Sequence, residues 1–542
     1  FSFVVMLIVL IILFIIFQKI KWVLVIVLSS SFAVYTMIGL VGFFNFEITA
    51  ISANFISLMF ILSISMNIHI LNNYLHTDNQ IINTFRIMFW PCFYTFLTTV
   101  VAFMSLLVAD IKPIIDFGLV MIIALVVILI TAFTILPLMI SFFRKEKIES
   151  KINLLFVKKL GIIGYKYKNT ILFFNFLFFL ISAYGISQLN VENSFIKYFK
   201  EDTEIYKGMK LIDRELGGTT PIDVIIKFNE DEVLTNKNTT DDLDFETEFD
   251  DDIFSDDIFD EDNKIWFTQK KINIIKKIHE YLENKTEIGK VNSIYSLINV
   301  ANQINKNELS TFELSILYNE IPEQYKINLI YPYLNINENM IKITARVKDS
   351  EDIKRSELIE DIREYSNKII KDDAEINVNG LLVLYNNMLS SLFSSQIKSL
   401  GFVLLAIFIM FLVLFKSIKL SLIGILPNIF ASSFILGLIG LLKIPLDIMT
   451  ITIAAISIGI AVDNTIHYLY RYNINKNVTV SAQEIINITH LNVGKAVMIT
   501  SVAISLGFLS LCFSNFVPTV IFGFFTSLAM IFAMIGVLIT LP

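Results

Sequence analysis

The chain has 542 residues, 55% of them hydrophobic and only 17% charged, against about 25% charged in an ordinary soluble domain. That arithmetic excludes a water-soluble enzyme. The net charge of -7, with no basic stripe interleaved with aromatics, argues against nucleic acid as a partner. Cys92 and Cys512 both fall inside apolar runs, which argues against a disulfide framework or a thiolate metal site.

A hydrocarbon layer about 30 Å thick needs roughly 20 apolar residues per helical crossing. Eleven segments meet that test, near 1–17, 20–43, 50–73, 88–108, 114–143, 168–188, 397–416, 419–442, 449–472, 493–513 and 517–541. The sequence opens inside an apolar run with no polar start, so the first helix is expected to continue upstream sequence. Residues 1–143 read as a first transmembrane repeat, and 144–167 as a basic linker in which 151–167 is an amphipathic interfacial helix. The loop 144–168 carries Arg144, Lys145, Lys147, Lys151, Lys158, Lys159, Lys166 and Lys168 against Glu146 and Glu149. Retention of Lys and Arg on the inner side makes this loop cytoplasmic and exports the long polar stretch 189–396, into the periplasm if the cell is Gram-negative.

Residues 168–188 read as the first helix of a second repeat. In 189–396, Thr220–Phe228 and Met340–Val347 have strand patterns, whereas 266–282 and 356–369 have amphipathic helical periodicity. The expected architecture is two small α/β units with helices covering one face of each sheet. Residues 241–262 hold 13 Asp or Glu in 22 positions and read as a self-repelling disordered insert, with calcium binding as the alternative. Residues 397–542 supply the remaining helices of the second repeat.

Those later helices echo the first ones. At an offset of 398, Gly39, Gly42, His69, Leu71 and Tyr74 meet Gly437, Gly440, His467, Leu469 and Tyr472; at 405, Thr95, Phe103 and Gly118 meet Thr500, Phe508 and Gly523. Corresponding spans are an even number of crossings apart, so the copies run parallel and are related by an axis along the membrane normal. The first copy lacks a counterpart of 168–396, which leads to the expectation of one more helix and one more exported domain upstream.

Ionisable groups are expensive in the membrane interior, and Asp463 stands well inside its span. Gly459 lies one turn before it and His467 one turn after it on the same face. Burial disfavours a charged carboxylate, so Asp463 is a proton-binding candidate, assisted by Asn464, His467 and Thr500; a structural hydrogen-bonded Asp is the competing reading. Ser65, Asn67, His69 and Thr95 form the first-repeat counterpart, able to hydrogen-bond but without an acid. Asp110, Asp116 and Asp447 read as interfacial or capping groups. Pro427 supplies a kink or hinge, and Gly437 and Gly440, like Gly39 and Gly42, serve helix contact. No phosphate cradle for ATP, no hydrolase signature and no metal or cofactor motif is present, so a pump would draw on an ion gradient or another subunit.

With these residues in view, the sequence resembles the resistance-nodulation-division (RND) superfamily, and within it the MMPL-type permeases near hopanoid and lipid exporters and Patched-like sterol transporters. The likeness rests on Gly459-x-x-x-Asp463 followed by Asn464-Thr465-Ile466-His467, on Leu426-Pro427-Asn428 leading to Ile444-Pro445-Leu446-Asp447, on the Thr95–Phe103 and Thr500–Phe508 stretches, and on Glu192 to Phe199. It implies a polytopic α-helical membrane protein, an RND-type parallel-repeat bundle with an exported α/β porter-like domain. It also implies proton-coupled export of hydrophobic or amphiphilic molecules, often lipids, from the inner membrane, with the relay acid at Asp463. Many MMPL-type members carry an Asp-Tyr pair in both central helices; here Asp463-Asn464 stands in one and Ser65-Met66 in the other. Coupling through one carboxylate, another ion or little coupling remain the options. A homo-oligomer or a periplasmic carrier stays open as a partner. The alternative function is a lipid-sensing or assembly protein that keeps the fold without pumping.

Overall fold

The computed structural model describes residues 2–49, 54–76, 80–109, 111–143, 154–189, 194, 196–229, 266–349, 354–371, 373–476 and 481–542. The acidic insert 241–262, Asp110, Glu192 and the basic run 144–153 lie outside them. Two compact units result: Phe1–Asn193, Tyr198–Lys200 and Met388–Pro542 form a helical unit, and Ser194–Lys197 with Glu201–Asn387 form an α/β unit.

Among the described residues of the chain, ten helices are long and apolar enough to cross a membrane: Ile20–Phe43, Phe55–Leu75, Ile81–Val108, Lys112–Ser141, Lys168–Ile186, Leu381–Phe415, Ile418–Leu441, Thr452–Asn475, Lys495–Phe513 and Val517–Thr540. Ser2–Phe17 is an eleventh apolar helix of 16 residues, short of the usual crossing length. The third of the ten starts at Ile81 rather than 88 and continues past Pro91, which sits inside it. The helix expected from 397 begins at Leu381, directly after Gly380, whose φ of +104° ends strand pairing in a conformation open to glycine. Asp447 caps the helix Ile448–Lys476: its Oδ1 accepts from the amides of Met449 (2.8 Å) and Thr450 (2.7 Å).

The helix Leu154–Lys166 docks through two glycines, Gly161 against the His490 ring and Gly164 against the Ile539 carbonyl. Both receiving sites are π-helical turns, His490–Gly494 and Gly536–Thr540. Gly437 and Gly440 pack directly on a neighbouring helix: a Cβ at either would strike the backbone of the Lys168–Ile186 helix at Ser182 or Gly185. Their repeat counterparts do not. Gly39 and Gly42 have nothing within 4 Å of an added Cβ.

The α/β unit departs from the expected pair of sheets. Strands β1 (Thr220–Phe228), β2 (Ile288–Asn292), β3 (Leu334–Asn335), β4 (Met340–Val347) and β5 (Ala374–Asn379) form a single sheet. Their order is β2-β4-β1-β5, with β3 beside β4, and every pairing is antiparallel. The reason is register: β1 and β4, the two clearest strand patterns, pair with each other from Thr220↔Val347 to Lys227↔Met340. That pairing puts Ile222, Val224 and Ile226 beside Ile341, Ile343 and Ala345 on one buried face. Helices Gln269–Glu283 and Arg355–Ile370 close that face with Ile275, Ile278, Leu282, Ile359 and Ile362, so one core serves both halves of the sequence.

Candidate functional site

The repeat decides where polar groups meet. Ser65 donates to Asp463 Oδ2 at 3.5 Å, and residues 65 and 463 are repeat counterparts. His69 and His467, also counterparts, stack with centroids 4.1 Å apart and planes 12° apart. Residues that touch their own symmetry mates lie on the symmetry axis, so a local two-fold passes through this cluster. The surroundings obey the same axis. Asn67 Nδ2 donates to Ser30 Oγ at 3.0 Å, while Asn428 Nδ2 donates to Thr465 Oγ1 at 3.4 Å. Position 428 answers 30 and 465 answers 67, so each repeat makes the same bond with donor and acceptor exchanged.

Two glycines let the axis helices approach their neighbours. A Cβ at Gly459 would strike Ala102, and one at Gly507 would meet Ile61 Cγ1 at 3.0 Å; 61 answers 459 and 102 answers 507. The helices Phe55–His76 and Ile448–Lys476 are thus each gripped by a helix of the opposite repeat, Lys495–Leu509 and Ile81–Met104. Thr99 Oγ1 strengthens the second contact with a bond to the Gly459 carbonyl at 3.3 Å, shared with its own-helix carbonyl at Thr95 (2.8 Å).

Asp463 sits among three groups. His467 Nε2 lies 3.3 Å from Oδ1, His69 Nε2 lies 3.7 Å from Oδ2, and Ser65 completes the set. The two histidine side chains are 7% and 3% exposed, and the carboxylate 16%. That difference has a geometric cause: a cavity of about 30 Å³, lined by Ser65, His69, Cys92, Thr95, Thr99 and Asp463 among others, opens beside the carboxylate. This volume holds a water or two, each able to bridge the acid to the threonine hydroxyls. Chemically, one carboxylate and two imidazoles in van der Waals contact can hold, share and release a proton without moving backbone.

The three side chains also present nitrogen and oxygen donors within 4.8 Å of one another, the donor set of a divalent metal. The ring geometry opposes chelation, because a metal lies in the plane of each imidazole it binds, and these planes are stacked instead of converging.

Two expected helpers are elsewhere. Asn464 donates to Ser501 Oγ at 2.9 Å and receives Thr500 Oγ1 at 3.5 Å, while Thr500 also bonds the Ala496 and Val497 carbonyls. Being next to Asp463 in sequence turns Asn464 about 100° around the helix, so Asn464 and Thr500 tie two helices together and do not bond the acid. Asn67 likewise bonds Ser30, whereas Ser65, His69 and Thr95 join the site. Pro427 lies within the helix Ile418–Leu441 and packs on Gly536, outside the cavity. Sequence reasoning missed Cys92 and left Ser30 and Ser501 unmarked. The offset of 398 was the available signal, since it pairs the positions that meet on the axis.

No family model matches the sequence. A membrane protein of Methanocaldococcus jannaschii is 24% identical over 366 residues, an alignment covering 66% of this chain and 85% of that one. Among solved structures, SecDF of Thermus thermophilus, a translocon-associated membrane protein, matches with a TM-score of 0.54 at 12% identity. The match covers 99% of this chain and 61% of that structure, so this chain spans less than two thirds of its length. At this identity the likeness shows fold alone: the chain is a multi-pass α-helical membrane protein with the RND-like fold of SecDF.

Proposed function

We propose that the protein is a secondary transporter driven by the proton gradient, exporting hydrophobic or amphiphilic molecules, lipids foremost, across a bacterial-type inner membrane. The observation that carries this reading is the position of Asp463: a lone carboxylate on the axis of a two-fold helical repeat, facing two histidines and a water-sized cavity. A proton arriving at the carboxylate cancels its charge and changes which helix arrangement is favoured. One elementary charge moved through the membrane field is worth about 2.3 kcal/mol per 100 mV, enough to drive such a choice. The α/β unit is the porter-like domain on the exported side, following the positive-inside placement of the 144–168 loop.

Proteoliposomes carrying the full chain test this. An imposed inward proton gradient is expected to drive a fluorescent phospholipid or sterol analogue outward together with proton influx, and Asp463→Asn is expected to abolish both. Undiminished proton-dependent transport in Asp463→Asn overturns the reading. A second reading, an accessory to protein translocation, is favoured by one observation, the fold match to a translocon-associated protein. It predicts loss of secretion in cells on deletion, with no lipid analogue moved in vesicles.

A further inference from the structure

The exposed face of the sheet holds an arrangement that sheet stability alone disfavours. In the β2/β4 ladder Lys290 lies directly opposite Arg346, and like charges placed across an antiparallel pair destabilise it. Lys348, two residues beyond Arg346 and exposed on the same side, adds a third cation. Neither Lys290 nor Arg346 makes an ion pair among the described residues, and Lys348 Nζ reaches only the Thr286 carbonyl at 3.0 Å. The chain as a whole is acidic, with a net charge of -7, so a background of basic residues does not explain the concentration.

These cations line a pocket. It has a volume of about 500 Å³, and Arg214, Lys290, Arg346 and Lys348 form its walls with Gly217 and Gly289, within the range of small-ligand sites. Its one carboxylate, Glu215, is already engaged by Arg214 at 2.8 Å. The glycines matter at this point. The β2/β4 register shifts between Ile288 and Lys290, a bulge that turns the strand and re-aims its side chains. Gly217, at φ +80°, abuts Gly289 so closely that a Cβ on Gly289 would strike the Gly217 carbonyl. One wall is therefore bare backbone, which a ligand can approach without side-chain obstruction.

We propose that this pocket binds a phosphate group, carried either by a lipid headgroup or by a small soluble phosphate ester. Arg346 offers the planar fork that matches two phosphate oxygens, and Lys290 and Lys348 supply point charges around the anionic group. Filling the pocket relieves the repulsion between Lys290 and Arg346. The site lies within the α/β unit and is independent of proton coupling at Asp463.

The test uses the full chain in maltoside micelles, which carry no phosphate, with melting temperature and direct binding of glycerol 3-phosphate as readouts. Wild type is expected to be stabilised by glycerol 3-phosphate, an effect that weakens as salt rises. The Lys290→Gln/Arg346→Gln variant is expected to bind at least tenfold more weakly, while melting no lower than wild type without ligand because the repulsive pair is gone. Lys227→Gln, exposed on β1 outside the pocket, is expected to bind as wild type does. Should the double variant misfold, the single Lys290→Met variant carries the same expectation. Adding phosphatidylglycerol to the micelles separates the sources: stabilisation by it without response to glycerol 3-phosphate identifies a lipid headgroup, and response to the soluble ester identifies a free one. Unweakened binding in the variants, or no response to either phosphate source, overturns the proposal.

Discussion

At the scale of single residues, proximity to a symmetry axis sets what a side chain can do. His467 reaches Asp463 along its own helix, as an i,i+4 neighbour, whereas His69 and Ser65 reach it from the other repeat. His69→Gln and His467→Gln are therefore expected to impair proton-driven transport in the same vesicle assay. Asn464→Ala is expected to lower stability by about 1 to 3 kcal/mol, through the orphaned partners Ser501 and Thr500, while coupling persists. A second residue-scale expectation concerns His279 in the α/β unit, buried with Nδ1 2.9 Å from Ser293 Oγ and Nε2 3.2 Å from Glu283. Burial lowers its pKa below the usual 6.5, with the Glu283 carboxylate opposing that shift. The neutral ring is thus the native form; its stabilisation is complete above the unfolded pKa and is lost as pH falls below it, by less than about 1.4 kcal/mol per pH unit. Hydrogen-exchange protection factors in the helix Gln269–Glu283 of the full chain should fall between about pH 7.5 and 5 relative to a His279→Gln variant. An equal fall in both would sink the assignment.

At the scale of elements, the close packing of Gly437 and Gly440 on the Lys168–Ile186 helix gives a clean contrast with Gly39 and Gly42. A leucine at Gly437 must push backbone apart and is expected to destabilise the helical unit by about 1 to 3 kcal/mol. Gly39→Leu meets open space and is expected to stay within about 0.5 kcal/mol, both read by thermal melting in detergent. These elements also show what was legible beforehand. Ten crossings, the strands Thr220–Phe228 and Met340–Val347, and the two amphipathic helices could be read because apolar period and run length encode them locally. The single sheet could not, because the β1 and β4 pairing joins residues 127 positions apart at Thr220↔Val347 and no local pattern records it. The site was half legible. Asp463 and His467 share a helix face and so were visible as a stripe, but contacts across the axis needed the three-dimensional meeting of the repeats, and Asn464 was misplaced because adjacency in sequence is not adjacency on a helix.

At the scale of the whole molecule, parallel repeats and the charge of the 144–168 loop predict sidedness. With Cys92 and Cys512 replaced by serine, a cysteine at the exposed position Ile304 of the α/β unit is expected to react with a membrane-impermeant thiol reagent added to intact cells. A cysteine at the exposed Tyr167, beside the basic linker, is expected to react only after the cells are opened. Labelling of the Tyr167 position from outside, with the Ile304 position protected, would reverse the orientation.

On its axis the repeat is twinned in the stacked pair His69 and His467 and untwinned in its acid, since the Ser65 hydroxyl stands where the other copy has the Asp463 carboxylate. For a carrier of the proposed kind, such lopsidedness predicts one proton per turnover through the single acid, which the ratio of proton to cargo flux in the vesicle assay measures. At about 100 mV that single charge sustains roughly a fifty-fold concentration ratio of cargo. Installing Ser65→Asp would place two like charges against each other on the axis, and the outcome to look for is a stalled machine rather than a stronger one.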